Sequence, residues 1–475
     1  MSFFLPEEGE MKRLVLLVVV VGFVCLLASA AFGEIIHVPT AEYPTIQAGI
    51  NAASSGDTVQ VAAGTYNENI TMKSGVVIQG AGQGVSIIDG GDNGSVVTAT
   101  DVDSAAKLDG FTITNGKEFN GGGMNNSNSS PTVSNCTFSG NSASIVFSVG
   151  EGGGMYNVNS SPTVTNCIFS GNDATGLGGG MHNSMSSPTV TNCTFSENTA
   201  HQGGGMYNLQ SSPTVTNCTF SGNSSDATAP GGGMRNEDSS PTVTNCSFFN
   251  NTAGNNGGGM ANYADSSPTV TNCTFSGNSA PFYGGGMYNA GSSPIVANCI
   301  FYHNYVGSPQ IGWDMANLGS SSPTVINCTF WNEAGDSMYN ENSSPTVTNC
   351  ILWGHFEMIY NGAGASPVVT YSDVPYPGTG NINADPMFVD PDGPDNILGN
   401  SDDNFHLRTS SPCIDAGDNS APALPATDFE GDDRRIDDPK VPDTGSGTPP
   451  IVDMGADEYV REVKAMPWVQ LLLGD

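Results

Sequence analysis

The sequence predicts an all-β protein wound as a single-stranded parallel β-helix, and three observations carry that prediction. One string returns along the middle of the chain: SSPTVTNCIFSGN from Ser160, SSPTVTNCTFSEN from Ser186, and SSPTVTNCTFSGN from Ser211 and again from Ser266. Landmark residues keep step with it. The cysteines fall at Cys136, Cys167, Cys193, Cys218, Cys246, Cys273, Cys299, Cys328 and Cys350, spaced 22 to 31 residues apart, and repeats of about 20–50 residues are the mark of solenoids. Finally, the chain is poor in charge (12% DEKR) and contains 61 glycines, a composition suited to turns and hydroxyl-lined strands rather than helices.

Each unit reads GGGMYN-x-x-x-SSPTVTNCTFSGN followed by a variable loop. Ten units can be aligned on Met124 through Met358 and Pro131 through Pro367, and the tenth has lost its Asn-Cys pair. Apolar residues occur in runs of three to five, broken by Gly, Ser-Pro or Asn, which fits short strands with period-2 facing and not helices. In the first unit Val133 points inward, Asn135 makes a bend, and Cys136 and Phe138 point inward again. Three short strands per turn then stack on their copies about 4.8 Å above and below. The stacking predicts ladders of Met, Cys and Phe inside, and of Asn at the bends. Repetition is what lets each coil bury an inner face that it cannot bury alone.

The first residues include MKRLVLLVVVVGFVCLLASAAFGE from Met11. Lys12 and Arg13 form a positive start, Leu14 to Leu27 an apolar core, and Ala28-Ser29-Ala30 a small-residue cleavage site, with Ala31-Phe32-Gly33 as a second option. This is the pattern of an export signal. Residues 1–33 are therefore expected to be removed, leaving a mature chain without a transmembrane span and placed outside the cell or on its surface.

NCTFSGN and GGGMYN resemble the repeats of right-handed parallel β-helices, including those of bacterial polymorphic outer-membrane proteins. YPTIQAGINAASSGDTVQVAAGTYNENI resembles the start of pectin-lyase-like β-helix proteins. That resemblance implies an amphipathic helix near Pro44 to Ala53 that caps the open end before the first strand, TVQV. VVIQGAGQGVSIIDGG and LDGFTITNG look like the first ordinary coils. Toward the C-terminus, INADPMFVDPDGPDNILGNSDDNFHL, SSPCIDAGDN and VDMGADEYV resemble the choice-of-anchor (type Q) domain of secreted bacterial proteins. The implied organisation is a cap and first coil over 34–75, β-helix repeats over 76–371, and an anchor-type domain over 372–475. The resemblance covers a superfamily of lyases, hydrolases, adhesins and phage spikes alike, so it bears on fold more than on function.

Charge narrows the chemistry. With 46 acidic against 12 basic residues, the chain repels nucleic acid and anionic membrane. Between Gly121 and Tyr371 the only Lys or Arg is Arg235. Uronate lyase chemistry needs cations against the substrate carboxylate as well as a base, and this array does not supply them. Hydrolysis needs clustered carboxylates; Glu237, Asp238 and Asp265 are the candidates, with solvated loop acids as the plainer alternative. Nine cysteines share one repeat position with parallel side chains, which predicts a ladder of free thiols rather than bridges. Zinc spacings of Cys and His are missing, and the Asn-Cys-Thr/Ser triplets recur because the bend needs Asn.

The repeat decays late in the array. Three residues after the Cys, where most units carry Ser, later ones carry Phe249, Tyr302, Trp331 and Trp353. The same coils replace GGGM by sequences containing Trp313, Asp314, Asp336, Phe356 and Glu357. Alternation turns the aromatic column outward. Tyr302, Trp313, Asp314, Trp331, Trp353 and Glu357 then form either a glycan-binding patch, with rings to stack on sugars and carboxylates to bond hydroxyls, or the seat of the C-terminal domain. That domain holds 21 of the acidic residues. Asp390, Asp392, Asp395, Asp402 and Asp403, spaced around glycine, are candidate calcium ligands, with Asp415, Asp418, Asp428, Asp432, Asp433 and Asp457 as weaker ones. No other cofactor is indicated. The function expected from the sequence is a structural or adhesive role toward a glycan or cell-surface ligand, with a carbohydrate-active enzyme as the alternative.

Overall fold

The computed structural model describes residues 33–144, 149–308, 311–332, 335–354, 357–396 and 402–460. The expected export signal therefore lies outside the described residues but for Gly33, and so does Phe356.

Three long parallel sheets run the length of the solenoid. The first face has 14 strands and the second and third have 12 each. In one coil, Met155–Val158 lies on the third face, Thr163–Thr165 on the first and Ile168–Ser170 on the second. Each strand pairs in parallel with its copy one unit on, so that Met155 meets Met181, Val164 meets Val190 and Phe169 meets Phe195. A five-stranded side sheet, absent from the expected three-strand coil, forms between the second and third faces from segments such as Asp173–Leu177 and Thr199–Gln202.

The interior follows the period-2 reading. Val133, Cys136 and Phe138 are fully buried, as are their copies and the Met series. The phenylalanines stack face to face from Phe138 to Phe330, with Phe138 and Phe169 at 4.8 Å and 3°. All ten described cysteines are free and buried. The bend asparagines adopt the left-handed conformation that Asn tolerates, with φ of 51° at Asn135 and 53° at Asn166, and Asn166 Nδ2 donates to Asn135 Oδ1 at 3.3 Å. Two further asparagine ladders run inside the solenoid. One joins Asn126, Asn157, Asn183 and their copies at 2.8 Å; the other joins Asn141, Asn172 and Asn198 at 3.0 Å. Each amide satisfies the next, which is the condition for keeping such groups in an apolar core. The glycine triplet lets the chain pass close by: a Cβ on Gly154 would stand 2.5 Å from the Gly180 carbonyl oxygen.

The cap differs in detail from the expectation. Its helix spans Ile46–Ala52, with the Thr45 hydroxyl accepting from the Ala48 N–H and with Ile46, Gly49 and Ile50 turned inward. The first strand is not TVQV but Ile35–Val38, which precedes the helix and pairs with Thr58–Val61. Ile36 and Val38 alternate inward, so this short segment completes the first sheet before the helix closes the end. Among the described residues no helix is long and apolar enough to cross a membrane.

Candidate functional site

The aromatic column forms as register predicts, with Tyr302 beside Trp331 and Trp331 beside Trp353 on the second face. It is not an open face, and this corrects the expectation of exposure. Strand Asn404–Leu407 and the loops after it lie over the column, and Tyr302 is only 7% exposed. Its ring is 5.0 Å from that of Phe405, which also stands 6.2 Å from Trp331. Ile300, Ile351, Phe388, Cys413, Phe429, Met454 and Tyr459 complete this second core, with Trp331 and Trp353 half-buried against it. Of the two roles open from the sequence, the geometry is that of a seat.

The other residues of the expected patch lie apart from the column. Trp313 sits beyond the opposite edge of the second face, packed edge-on to Tyr305 at 5.4 Å and 8% exposed. Asp314 is fully buried. It takes the place of the third glycine of the triplet and accepts from Asn304 Nδ2 at 2.9 Å, terminating an asparagine ladder. Burial pushes its carboxyl up to about 7. Glu357 is exposed, and Asp336 is raised to about 6 by burial and by the Glu357 charge. The physical reason for the scatter is that GGGM belongs to the corner leading to the third face, whereas the aromatics replace a serine on the second.

Asp390 ends strand Phe388–Asp390, which pairs antiparallel with Asn404–Leu407. Asp392 and Asp395 follow in the turn, and the Asp402 carboxyl lies against Gly393. Asp403 is buried. Among the described residues, three metal-capable ligand atoms converge at His406, Glu430 and Asp457, and at Asp415, Asp437 and Asp443. Asp238 and Asp265 are exposed at the bends leaving the third face, while Glu237 is engaged by Arg235 at 2.9 Å and by the Tyr207 hydroxyl at 2.5 Å.

Glu237 belongs to a constellation not singled out from the sequence. The residue after each repeat methionine points outward on the third face. Register aligns Tyr156, His182, Tyr207 and Arg235, and the series continues through Ala261, Tyr288, Ala316, Tyr339 and Tyr360. His182 lies 5.3 Å from the rings of both Tyr156 and Tyr207, and the Arg235 guanidinium lies 5.4 Å from the Tyr207 centroid and 4.7 Å from that of Tyr263. Glu151 Oε2 stands 3.3 Å from His182 Nδ1. That imidazole holds the Glu151 carboxyl below its ordinary range against the opposing effect of burial, and burial together with Glu151 pushes Tyr156 up to about 12. The column is packed nearly shut, with His182 at 1% and Tyr207 at 3% exposure. The carboxylates at its rim are more open, at 27% for the Glu151 side chain and 34% for Glu237. The signal was present in the sequence: period-2 alternation through MYN places Met and Asn inside and Tyr outside.

Coil geometry and sequence agree on the class: the chain belongs to the right-handed β-helix family, whose model, described as a right handed beta helix region, matches residues 64–248 and 230–373. No curated protein matches it. Among solved structures it is similar to the pectate lyase Pel9A, at 15% identity over 90% of this chain and 97% of that one, with a TM-score of 0.38. It is also similar to the A-module of the mannuronan C-5 epimerase AlgE6 of Azotobacter vinelandii, at 12% identity, 72% and 95% coverage, and a TM-score of 0.40. A third is PfbA, a surface adhesin of Streptococcus pneumoniae, at 12% identity, 69% and 83% coverage, and a TM-score of 0.32.

Proposed function

We propose that the protein is an exported, non-catalytic binding protein whose third face holds a neutral glycan chain. The observation that carries this reading is the half-open rim above the packed series Tyr156, His182, Tyr207 and Arg235, where Glu151, Glu237 and the Tyr263 ring reach solvent. Carboxylates beside tyrosine edges and the half-buried Tyr263 ring suit sugar hydroxyls and ring faces. Rim groups set on different coils give a polymer several weak contacts at once, and linked contacts raise avidity without any new kind of interaction. The net charge of −34 favours uncharged over anionic polymers. Export and surface placement rest on the pattern from Met11 to Gly33.

Binding is favoured over hydrolysis by the state of the expected acids. Hydrolysis needs a convergent carboxyl pair, whereas Glu237 is held by Arg235 and the Tyr207 hydroxyl and Asp238 and Asp265 stand exposed at the bends of separate coils. A glycan array probed with the purified chain tests the reading. Binding to neutral glycans, reduced at least tenfold by Glu237→Gln and by Tyr263→Ala, is the expected result. Release of reducing ends from any bound polysaccharide would establish the enzymatic alternative, and binding unaffected by both substitutions would remove the third face from consideration.

A further inference from the structure

Three segments of the C-terminal region converge away from the third face. His406 lies in strand Asn404–Leu407, Glu430 in the loop after Phe429, and Asp457 in the GADEY turn. One ligand atom from each lies within 4.8 Å of the others. His406 Nε2 is 3.2 Å from Glu430 Oε1 and 3.7 Å from Asp457 Oδ2.

The protonation of the ring is set from behind. Asn404 Oδ1 accepts the His406 backbone N–H at 3.0 Å and lies 2.6 Å from Nδ1. An oxygen already acting as acceptor makes Nδ1 the protonated nitrogen and leaves Nε2 facing the two carboxylates. This is how metal-bound imidazoles are held: the far nitrogen donates to an oxygen that fixes ring and tautomer. The two facing oxygens add a second, independent observation. Glu430 Oε1 and Asp457 Oδ2 are both buried, the Glu430 side chain being 9% exposed; neither makes a hydrogen bond of good geometry, and both face the His406 ring as ion-pair partners.

The neighbouring charged groups are engaged elsewhere. Asp428 is occupied as an acceptor for the N–H groups of Glu430, Gly431, Asp432 and Glu458. Arg434 is directed to Glu458 and Asn298. The spacing suits an ion. Ligands about 2.0–2.2 Å from a tetrahedral centre stand roughly 3.3–3.6 Å apart, and the 3.2 Å and 3.7 Å contacts of His406 Nε2 bracket that value. One imidazole nitrogen with two carboxylates is a donor set for zinc-class divalent ions rather than for calcium, which takes oxygen.

We propose that His406, Glu430 and Asp457 bind one zinc-class divalent ion, which clips the strand, loop and turn of the C-terminal cover together. The partly exposed His406 edge leaves a fourth position for water. Because such a site exists only in the folded chain, occupancy stabilises the fold.

The test uses the full chain, stripped with chelator and titrated with Zn2+ by calorimetry, with thermal melting followed in parallel. The expected result is one tight equivalent and a rise in melting temperature. His406→Gln should abolish both, and Asn404→Ala, which leaves all three ligands in place, should weaken affinity about 10–100-fold. Far-UV circular dichroism checks that each variant is folded. If His406→Gln fails to fold, Asn404→Ala decides: unchanged affinity there overturns the site. It is equally overturned if the wild-type chain takes up no Zn2+, the behaviour of a plain ion triad around a charged imidazole, or if folded His406→Gln binds as the wild type does, which would place the ion at Asp415 or among the thiols.

Discussion

The Arg434 guanidinium donates to the Asn298 amide oxygen at 2.9 Å, across 136 residues of sequence. Asn298 is one of the left-handed bend asparagines, so the C-terminal region docks on the repeat's own corner. The next two corners are used in the same way. Asn327 Nδ2 donates to the Asp453 carbonyl at 3.0 Å, and Asn349 Nδ2 to the Asp418 carbonyl at 3.1 Å. A ladder whose members from Asn166 to Asn245 each donate to the preceding copy here bonds outward as well, and this fixes the C-terminal cover in register with the coils.

Arg434 is 1% exposed and faces the fully buried Glu458 at 3.4 Å. Arg434→Met strands that carboxylate, and removing one partner of a buried pair costs about 3–5 kcal/mol. Urea denaturation should register that loss, and Arg434→Met with Glu458→Leu should recover most of it. Equal stability of the single variant and the wild type would show that the pair does not hold the cover.

Trp331 and Trp353 pack beneath Phe405 and its neighbours. Truncating either to Ala should cost roughly 1–3 kcal/mol, less than a fully buried aromatic, and should raise binding of an apolar dye as the cover loosens. Glycan binding should be unchanged, since the proposed glycan face is a different sheet. Loss of glycan binding at full stability would return these rings to the role of a ligand site.

The repeat was legible because its physics is local. Asn135 had to bend, Val133 and Phe138 had to alternate, and stacking copies had to align. Tyr302, Trp331 and Trp353 were legible as a column for the same reason, and the need to cap a solenoid made a seat one of their two readings. What covers them was not legible, because Phe405 and Arg434 reach the column through long-range docking that no periodicity encodes. Trp313 and Asp314 were grouped with the column by sequence proximity, although a corner separates the faces. The series from Tyr156 to Arg235 was passed over because its first member looks like a repeat landmark, and only its drift to His and Arg marks it out.

The thiol ladder gives a chemical prediction. All ten described cysteines are buried, so a reagent cannot reach them in the folded chain, and reactivity requires access as well as thiolate. The native chain should be inert to a thiol reagent. After unfolding in denaturant without reductant, nearly all of the ten described cysteines should titrate. Fewer than half reacting would mean that bridges form along the ladder.

Asp314 makes stability depend on pH. Its carboxyl titrates near 7 in the folded chain against an ordinary value of 3.8, because burial disfavours the charge more than its amide and hydroxyl partners restore it. Between those values the folded chain holds a proton that the unfolded chain releases. The contribution is therefore fully present below about pH 4 and is lost as pH rises through 7, on the order of 4 kcal/mol across the window. Asp373 and Asp453, raised to about 6 and about 7, slope the same way, so the informative quantity is the difference between two chains. Asp314→Asn stays neutral at every pH and keeps an acceptor for Asn304. Urea midpoints at pH 5 and pH 8 should show the variant gaining on the wild type as pH rises, and parallel curves would mean that Asp314 does not titrate in this window.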